Sequence, residues 1–190
     1  MRVPDSPAAH AAPAAPRRIL VAGASGAGKT TLARRIADAA GLPYQEIDAL
    51  YHGPDWTPRP SFVDEVDAFT AQAGWVTEWQ YEPVRDRLAE RAQLLVFLEY
   101  SRTRVMRQVI ARTVRRRLRR EELWNGNVEP AFHTIFSDPE HIVRWAWRTH
   151  GTRAALVEEA AARNPGLEVV RLRHPRAAEA WLRLTFPSAR

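Results

Sequence analysis

The sequence predicts a single α/β domain, a doubly wound parallel sheet of about five strands with helices on both faces. Three observations predict it. Apolar runs of strand length alternate along the chain with stretches of helical spacing. A glycine-rich turn, Gly23 to Gly28, joins the first strand to the first helix. At 190 residues the chain is long enough to bury a substantial core within one domain.

The elements follow in order. Residues 1–16, rich in Ala and Pro and without an apolar run, read as a disordered leader before a folded domain over 17–190. Ile19 to Ala22 form a continuous apolar run ending at Gly23, as a strand buried on both faces would. A helix is predicted from about Lys29 to Ala40, closed by Gly41 and Pro43. "YQEIDAL" reads as a second strand ending near Asp48, and "YHGPDWTPRP" as a loop. Ser61 is placed to cap a helix reaching about Ala73, with Phe62, Val66 and Phe69 on one face. "WVTE" is a third strand, "EPVRDRLAERA" a third helix, and "LLVFLEY" the clearest strand of all. An arginine-rich helix is predicted from Ser101 to Arg120. A further helix starts in "SDPEHIVRWAWRTH", where Ser137 and Glu140 have capping-box spacing around Pro139. "LEVVRL" and "PRAAEAWLRL" supply the last strand and helix.

The composition excludes several classes. Without cysteine there is neither a disulfide framework nor a thiolate metal site. No stretch approaches the ~18 apolar residues of a membrane span, and no apolar segment of a secretory signal is present. A cytoplasmic protein is expected. The net charge of +6 makes an anionic partner reasonable.

Gly23-Ala24-Ser25-Gly26-Ala27-Gly28-Lys29-Thr30 matches G-x-x-x-x-G-K-[ST] at every fixed position, between a strand and a helix. In such a loop backbone N–H groups turn toward phosphate oxygens beside a positive helix N-terminus. Residues 23–31, ending in Thr31, are therefore the candidate ATP-binding residues. Lys29 would reach the β- and γ-phosphates and the Thr30 hydroxyl would hold Mg²⁺. Lys29 is the only lysine among 28 Lys and Arg residues. A compact, movable ammonium sits between two phosphates more readily than a planar guanidinium does. The absence of a second lysine also excludes the N-K-x-D motif of guanine-specific relatives.

In an open parallel sheet, ligands bind beyond the carboxyl ends of the strands. Asp48, Glu78 and Glu99 stand at predicted strand ends. Glu78 is the candidate metal-side or acceptor-side carboxylate and Asp48 the acceptor-orienting one. Glu99 is the alternative metal-side acid. From 102 to 120 the chain has nine arginines and no acid. Met106, Ile110, Val114 and Leu118 recur every fourth residue and predict the packed face, leaving Arg104, Arg107, Arg112, Arg115, Arg116 and Arg119 on the remaining surface. Such a helix can be a lid that brings arginines onto a transferring phosphoryl group, a track for a nucleic-acid backbone, or a solvated face. Asn125-Gly126-Asn127 is a turn signal beside Trp124.

Taken together, "GASGAGKTTLARRIA", "IDALYHGPDW", "WVTEWQY", "LLVFLEYSRTRVMRQVIART", "RREELWNGNVEP" and "IVRWAWRTH" resemble the P-loop kinases related to adenylate kinase. Within these, the blocks are similar to the group labelled DNA topology modulation proteins, over about residues 18–186. Many members of that group read "WIIDGNY" where this chain reads "WVTEWQY". The resemblance implies a P-loop NTPase fold of nucleoside-monophosphate-kinase type, with an acceptor-binding segment after the second strand and an arginine lid. By position it implies nucleotide contacts from Gly23, Gly28, Lys29, Thr30 and Thr31, and lid roles for Arg112 and Arg116. The expected activity is transfer of the γ-phosphoryl of Mg·ATP to a small-molecule acceptor, such as a nucleotide or nucleoside. A nucleotide-gated nucleic-acid-binding regulator and a slow ATPase without acceptor are the alternatives.

Overall fold

The computed structural model describes residues 15–119, 122–127 and 142–187. Its elements are β1 (Arg18–Gly23), α1 (Lys29–Ala40), β2 (Tyr44–Gln45), α2 (Ile47–Tyr51), α3 (Phe62–Thr70), β3 (Trp75–Glu78), α4 (Glu82–Arg91), β4 (Leu94–Leu98), α5 (Arg102–Arg119), α6 (Ile142–Thr149), α7 (Thr152–Arg163), β5 (Glu168–Leu172) and α8 (Pro175–Thr185). Short 3₁₀ turns cover Pro54–Trp56 and Trp124–Gly126. The five strands form one sheet in the order β2-β3-β1-β4-β5, every pair parallel.

Sheet alternation divides the core in two. Ile19, Val21, Val76, Val96 and Leu98 point to one face, where Leu32, Ile36, Val105, Val109 and Leu182 of α1, α5 and α8 cover them. Leu20, Ala22, Trp75, Leu95 and Phe97 point to the other, under Phe62, Val66, Leu88 and Val157 of α3, α4 and α7. Burial on both faces is the reason that β1 and β4 read as apolar runs rather than alternating ones, while β3 buries Thr77 and Glu78 as well. The expected five-stranded, doubly wound architecture is the one observed.

Several local expectations change. β2 ends at Gln45 and Asp48 lies in a short helix, α2, not at a strand end. The Glu78 carboxylate accepts the Ile47 amide at 3.0 Å and so captures an N–H at the start of α2. Ser61 makes no cap hydrogen bond, because its hydroxyl donates to Glu65 Oε1 at 2.6 Å, and α3 stops at Thr70. α7 forms over 152–163, where the sequence predicts no separate element. The leader up to residue 14 and the Ser137–Glu140 cap lie outside the described residues.

The largest correction concerns α5. Its buried side chains are Val105, Val109 and Thr113. The stripe expected to pack is largely exposed, with Ile110 at 48% and Leu118 at 76%. The helix is rotated so that Val109 sits on the glycine turn at Gly26. Arg112 and Arg116, near Val109 and Thr113 on the helix surface, are half-buried, whereas Arg107, Arg115 and Arg119 are exposed. Among the described residues no helix is long and apolar enough to cross a membrane.

Candidate active site

The site grows from the carboxyl end of β1, where the chain leaves toward β2 on one side while β4 pairs on the other. This is the switch point at which open parallel sheets leave a crevice. Gly26 (φ +81) and Gly28 (φ +96) place the loop backbone in a left-handed conformation that side chains disfavour. The turn is closed by the Ala27 amide donating to the Ala24 carbonyl at 3.1 Å, and α1 begins directly after Gly28. Thr30 and Thr31 thereby occupy its first turn, where N–H groups have no intrahelical acceptor.

Lys29 lies back across the loop, its Nζ 3.4 Å from the Ala24 carbonyl oxygen. Burial pushes its pKa down to about 8. The negative charges of Asp48 and Glu78 oppose that shift, and the positive charges of Arg153 and Arg112 add to it. Four charged groups thus surround the ammonium closely enough to act on it. Three of them, Asp48, Glu78 and Arg112, are sequence candidates that the tertiary structure brings together.

Arg153 is the residue that sequence reasoning missed. It opens α7, and its Nε is buried without a hydrogen-bond partner. Its pKa is lowered first by burial and then by repulsion from Arg85, and no carboxylate of the described residues offsets either effect. A solitary arginine in "GTRAALV" carries no local signal, so only the placement of α7 at this end of the sheet reveals it.

Glu78 is 1% exposed. Oε1 accepts the Tyr44 hydroxyl at 2.7 Å and Oε2 accepts the Ile47 amide. The carboxylate therefore ties β3 to β2 and α2, and so sets the position of Asp48 one residue later. Burial, then the charge of Glu78, raises the Glu46 carboxyl above its ordinary range, while Arg34 pairs with Glu46 at 2.7 Å.

Asp48 is organised differently. Gln80 Nε2 and the Tyr81 hydroxyl, the latter at 2.6 Å, both donate to Oδ1. No described residue donates to Oδ2. Tyr81 is held at φ 62 and stacks on Tyr51 at 3.8 Å with an interplanar angle of 16°. A bulky residue at positive φ persists only where surrounding structure imposes it.

Glu99 belongs elsewhere. It pairs with Arg173 at 2.8 Å and Arg171 at 3.3 Å beside β5, so its reading as the metal-side acid is corrected. Trp75 and Trp79 are core residues, and the Trp79 indole N–H donates to the Arg85 carbonyl at 2.9 Å. Among the described residues no group of three or more His, Cys, Asp or Glu is arranged to hold a metal unaided. Magnesium suits such a site, since it takes one or two hard oxygen ligands from protein and the rest from phosphates and water.

No protein-family model matches the chain. A 62-residue stretch is 42% identical to the cytidylate kinases of two strains of Nitratidesulfovibrio vulgaris, DP4 and Hildenborough, and represents 33% of this chain. That stretch spans about a quarter, 26%, of the length of these relatives. Among solved structures, a shikimate kinase from Acinetobacter baumannii in complex with shikimate superposes with a TM-score of 0.52 at 16% identity, covering 88% of this chain and 92% of the other. A gluconokinase from Sinorhizobium meliloti 1021 gives 0.50 at 21% identity, covering 90% and 94%. The chain therefore has the fold of the P-loop kinases, a five-stranded parallel sheet flanked by helices with a phosphate-loop sequence at the end of β1.

Proposed function

We propose that this protein is an ATP-dependent phosphotransferase that moves the γ-phosphoryl group of Mg·ATP to a hydroxyl or phosphate oxygen of a small molecule. One observation carries the reading: Asp48 lies close enough for its charge to act on the Lys29 ammonium, and no described residue donates to its Oδ2. An acid held by two donors on one oxygen is prepared to accept a hydrogen bond from an acceptor on the other.

In this reading the loop amides and Lys29 hold the β- and γ-phosphates, and Thr30 with Glu78 serves the metal side. Bound there, Mg²⁺ would supply charge neutralisation to the phosphates. Asp48 Oδ2 orients the acceptor. As the acceptor oxygen bonds to the γ-phosphorus and the bond to ADP breaks, a hydroxyl proton passes to Asp48. Arg112, Arg116 and Arg153 offset charge on the transferring group. The adenylate-kinase-related motifs and the partial match to cytidylate kinase make nucleosides and nucleoside monophosphates the first acceptors to test.

The test is ADP formation from ATP with pooled nucleosides, nucleoside monophosphates and sugar acids. Acceptor-dependent turnover is expected, with a loss of ~100-fold or more in Asp48→Asn and near-complete loss in Lys29→Ala. Turnover indifferent to every acceptor would leave a slow ATPase instead.

The exposed arginines Arg107, Arg115 and Arg119 of α5 favour a second reading, a nucleotide-gated nucleic-acid-binding regulator like the DNA topology modulation group. It requires DNA binding that weakens steeply with salt and is lost when Arg115, Arg116 and Arg119 become Ala.

A further inference from the structure

Two loops far apart in sequence grip each other beside Asp48. One follows α2 and carries His52, Gly53 and Trp56. The other is the turn 123–127 that follows α5. Asn127 is 6% exposed, yet its amide is fully used. Oδ1 accepts the Trp56 N–H at 3.0 Å, while Nδ2 donates to the Gly53 carbonyl at 2.9 Å and the Trp124 carbonyl at 2.8 Å. Asn125 Nδ2 donates to the His52 carbonyl. The Trp124 ring lies nearly parallel to the His52 ring, centroids 5.7 Å apart at 21°, and Trp56 meets His52 edge-on at 5.1 Å.

His52 is thus held by both its backbone and its ring. Its Nε2 stands 3.0 Å from the Tyr81 hydroxyl, which is itself 2.6 Å from Asp48 Oδ1. That hydroxyl has one hydrogen, and an ionised carboxylate can only accept. Tyr81 therefore donates to Asp48, and the neutral His52 ring must carry its hydrogen on Nε2 and donate it to Tyr81. His52 Nδ1 is buried and makes no well-formed hydrogen bond among the described residues, in keeping with that tautomer. Burial is the largest influence on His52 and lowers its pKa against the opposing effects of the Asp48 charge and the Trp56 backbone, so the neutral ring is favoured.

We propose that Asn127 is a positioning residue for Asp48: the turn 123–127 fixes His52, His52 fixes the Tyr81 hydroxyl, and Tyr81 fixes the carboxylate that faces the acceptor. The region after the arginine helix is then part of the acceptor site rather than a mere connection. Only the last step, from Asp48 to the acceptor, rests on the kinase reading. Simple stapling of two loops would not need a buried amide with three partners set against the one histidine that touches Tyr81.

The test is ¹⁵N-detected histidine NMR on the full-length, unliganded protein, with His52 assigned by its loss in His52→Asn. The wild-type ring is expected as the neutral Nε2–H tautomer, titrating below the ordinary histidine range. In Asn127→Ala the ring should populate both tautomers and titrate higher, while the MgADP Kd stays within about threefold. Where Asn127→Ala does not fold, Trp124→Leu serves the same comparison. Acceptor kcat/KM should fall by roughly 10- to 100-fold in Asn127→Ala, with the KM for ATP held. An unchanged His52 tautomer and midpoint overturns the proposal whether or not the chain is a kinase. A changed ring with unaltered acceptor kinetics in an active enzyme also overturns it. A changed ring in a protein without acceptor-dependent turnover upholds the positioning chain and removes the kinase reading instead.

Discussion

Val109 of α5 rests directly on Gly26 of the phosphate loop: a methyl group built on Gly26 would overlap the Val109 Cγ2 atom. The arginine helix is therefore seated on the glycine-rich loop by its first half, and the loop has no room at Gly26 for any side chain.

Gly26→Ala is expected to be destabilising for two separable reasons. Its φ of +81 costs about 1–2 kcal/mol for a residue with a Cβ, and the overlap with Val109 about 1–3 kcal/mol more. Adding Val109→Ala should relieve the second part and leave the first. Denaturant unfolding of the single and double variants measures both. Strictly additive effects would contradict direct contact between the two residues.

ATP affinity should fall as pH rises above about 8. The Lys29 ammonium of the free site has its pKa lowered to about 8 by burial, and bound phosphates favour its charged form. Binding therefore takes up a proton in that range, and Kd rises by up to tenfold per pH unit. For folding the sign is opposite. Lys29 releases its proton at lower pH in the native than in the unfolded state, so the free protein gains stability from this group between pH 8 and 10.5. Lys29→Met should raise Tm near neutral pH, with the gain fading by pH 10.5. Calorimetric titration and thermal melts across pH check both, and a flat affinity between pH 8 and 9.5 contradicts the first.

Removing the Glu78 carboxylate should be costly. Glu78→Ala leaves the Tyr44 hydroxyl and the Ile47 amide without partners and opens a cavity, at about 3 kcal/mol or roughly 6–12 °C in Tm. Glu78→Gln can still accept from Ile47 through its carbonyl and donate to Tyr44 through its amide, and should melt within a few degrees of wild type. If Glu78 serves the metal side, this stable variant also needs more Mg²⁺ for half-maximal turnover. Equal melting of Ala and Gln variants would show that the buried bonds are not structural.

Arg153→Met is expected to stabilise the free protein while slowing transfer. The native guanidinium is a partly buried cation repelled by Arg85, with no carboxylate among the described residues to offset either burial or repulsion. Apolar replacement of such a charge gains on the order of 1 kcal/mol. Loss of a donor to the transferring group should lower kcat by roughly 100-fold. A lower Tm would mean that Arg153 has a structural partner after all.

Local chemistry determined much of this protein from sequence alone. The phosphate loop was legible because its function needs contiguous residues, and a lone lysine after Gly28 has few structural reasons to be there. β1 and β4 were legible because burial on both faces leaves apolar runs, and the doubly wound sheet follows from the alternation of strands with helices. Wherever two elements had to meet, periodicity was not enough. Two faces of α5 are apolar enough to pack, and the contact of Val109 with Gly26 selects the one that carries Arg112 and Arg116. Three strand-end carboxylates looked alike until Arg171 and Arg173 occupied Glu99, Tyr44 and Ile47 engaged Glu78, and Tyr81 oriented Asp48. Arg153 and the grip of Asn127 on the His52 loop depend on residues far apart in the chain, 71 and 74 positions for the Asn127 bonds, and such contacts leave no periodic trace. Tertiary structure alone decided them, because only folding reveals which charges lack a partner and which loops share a wall.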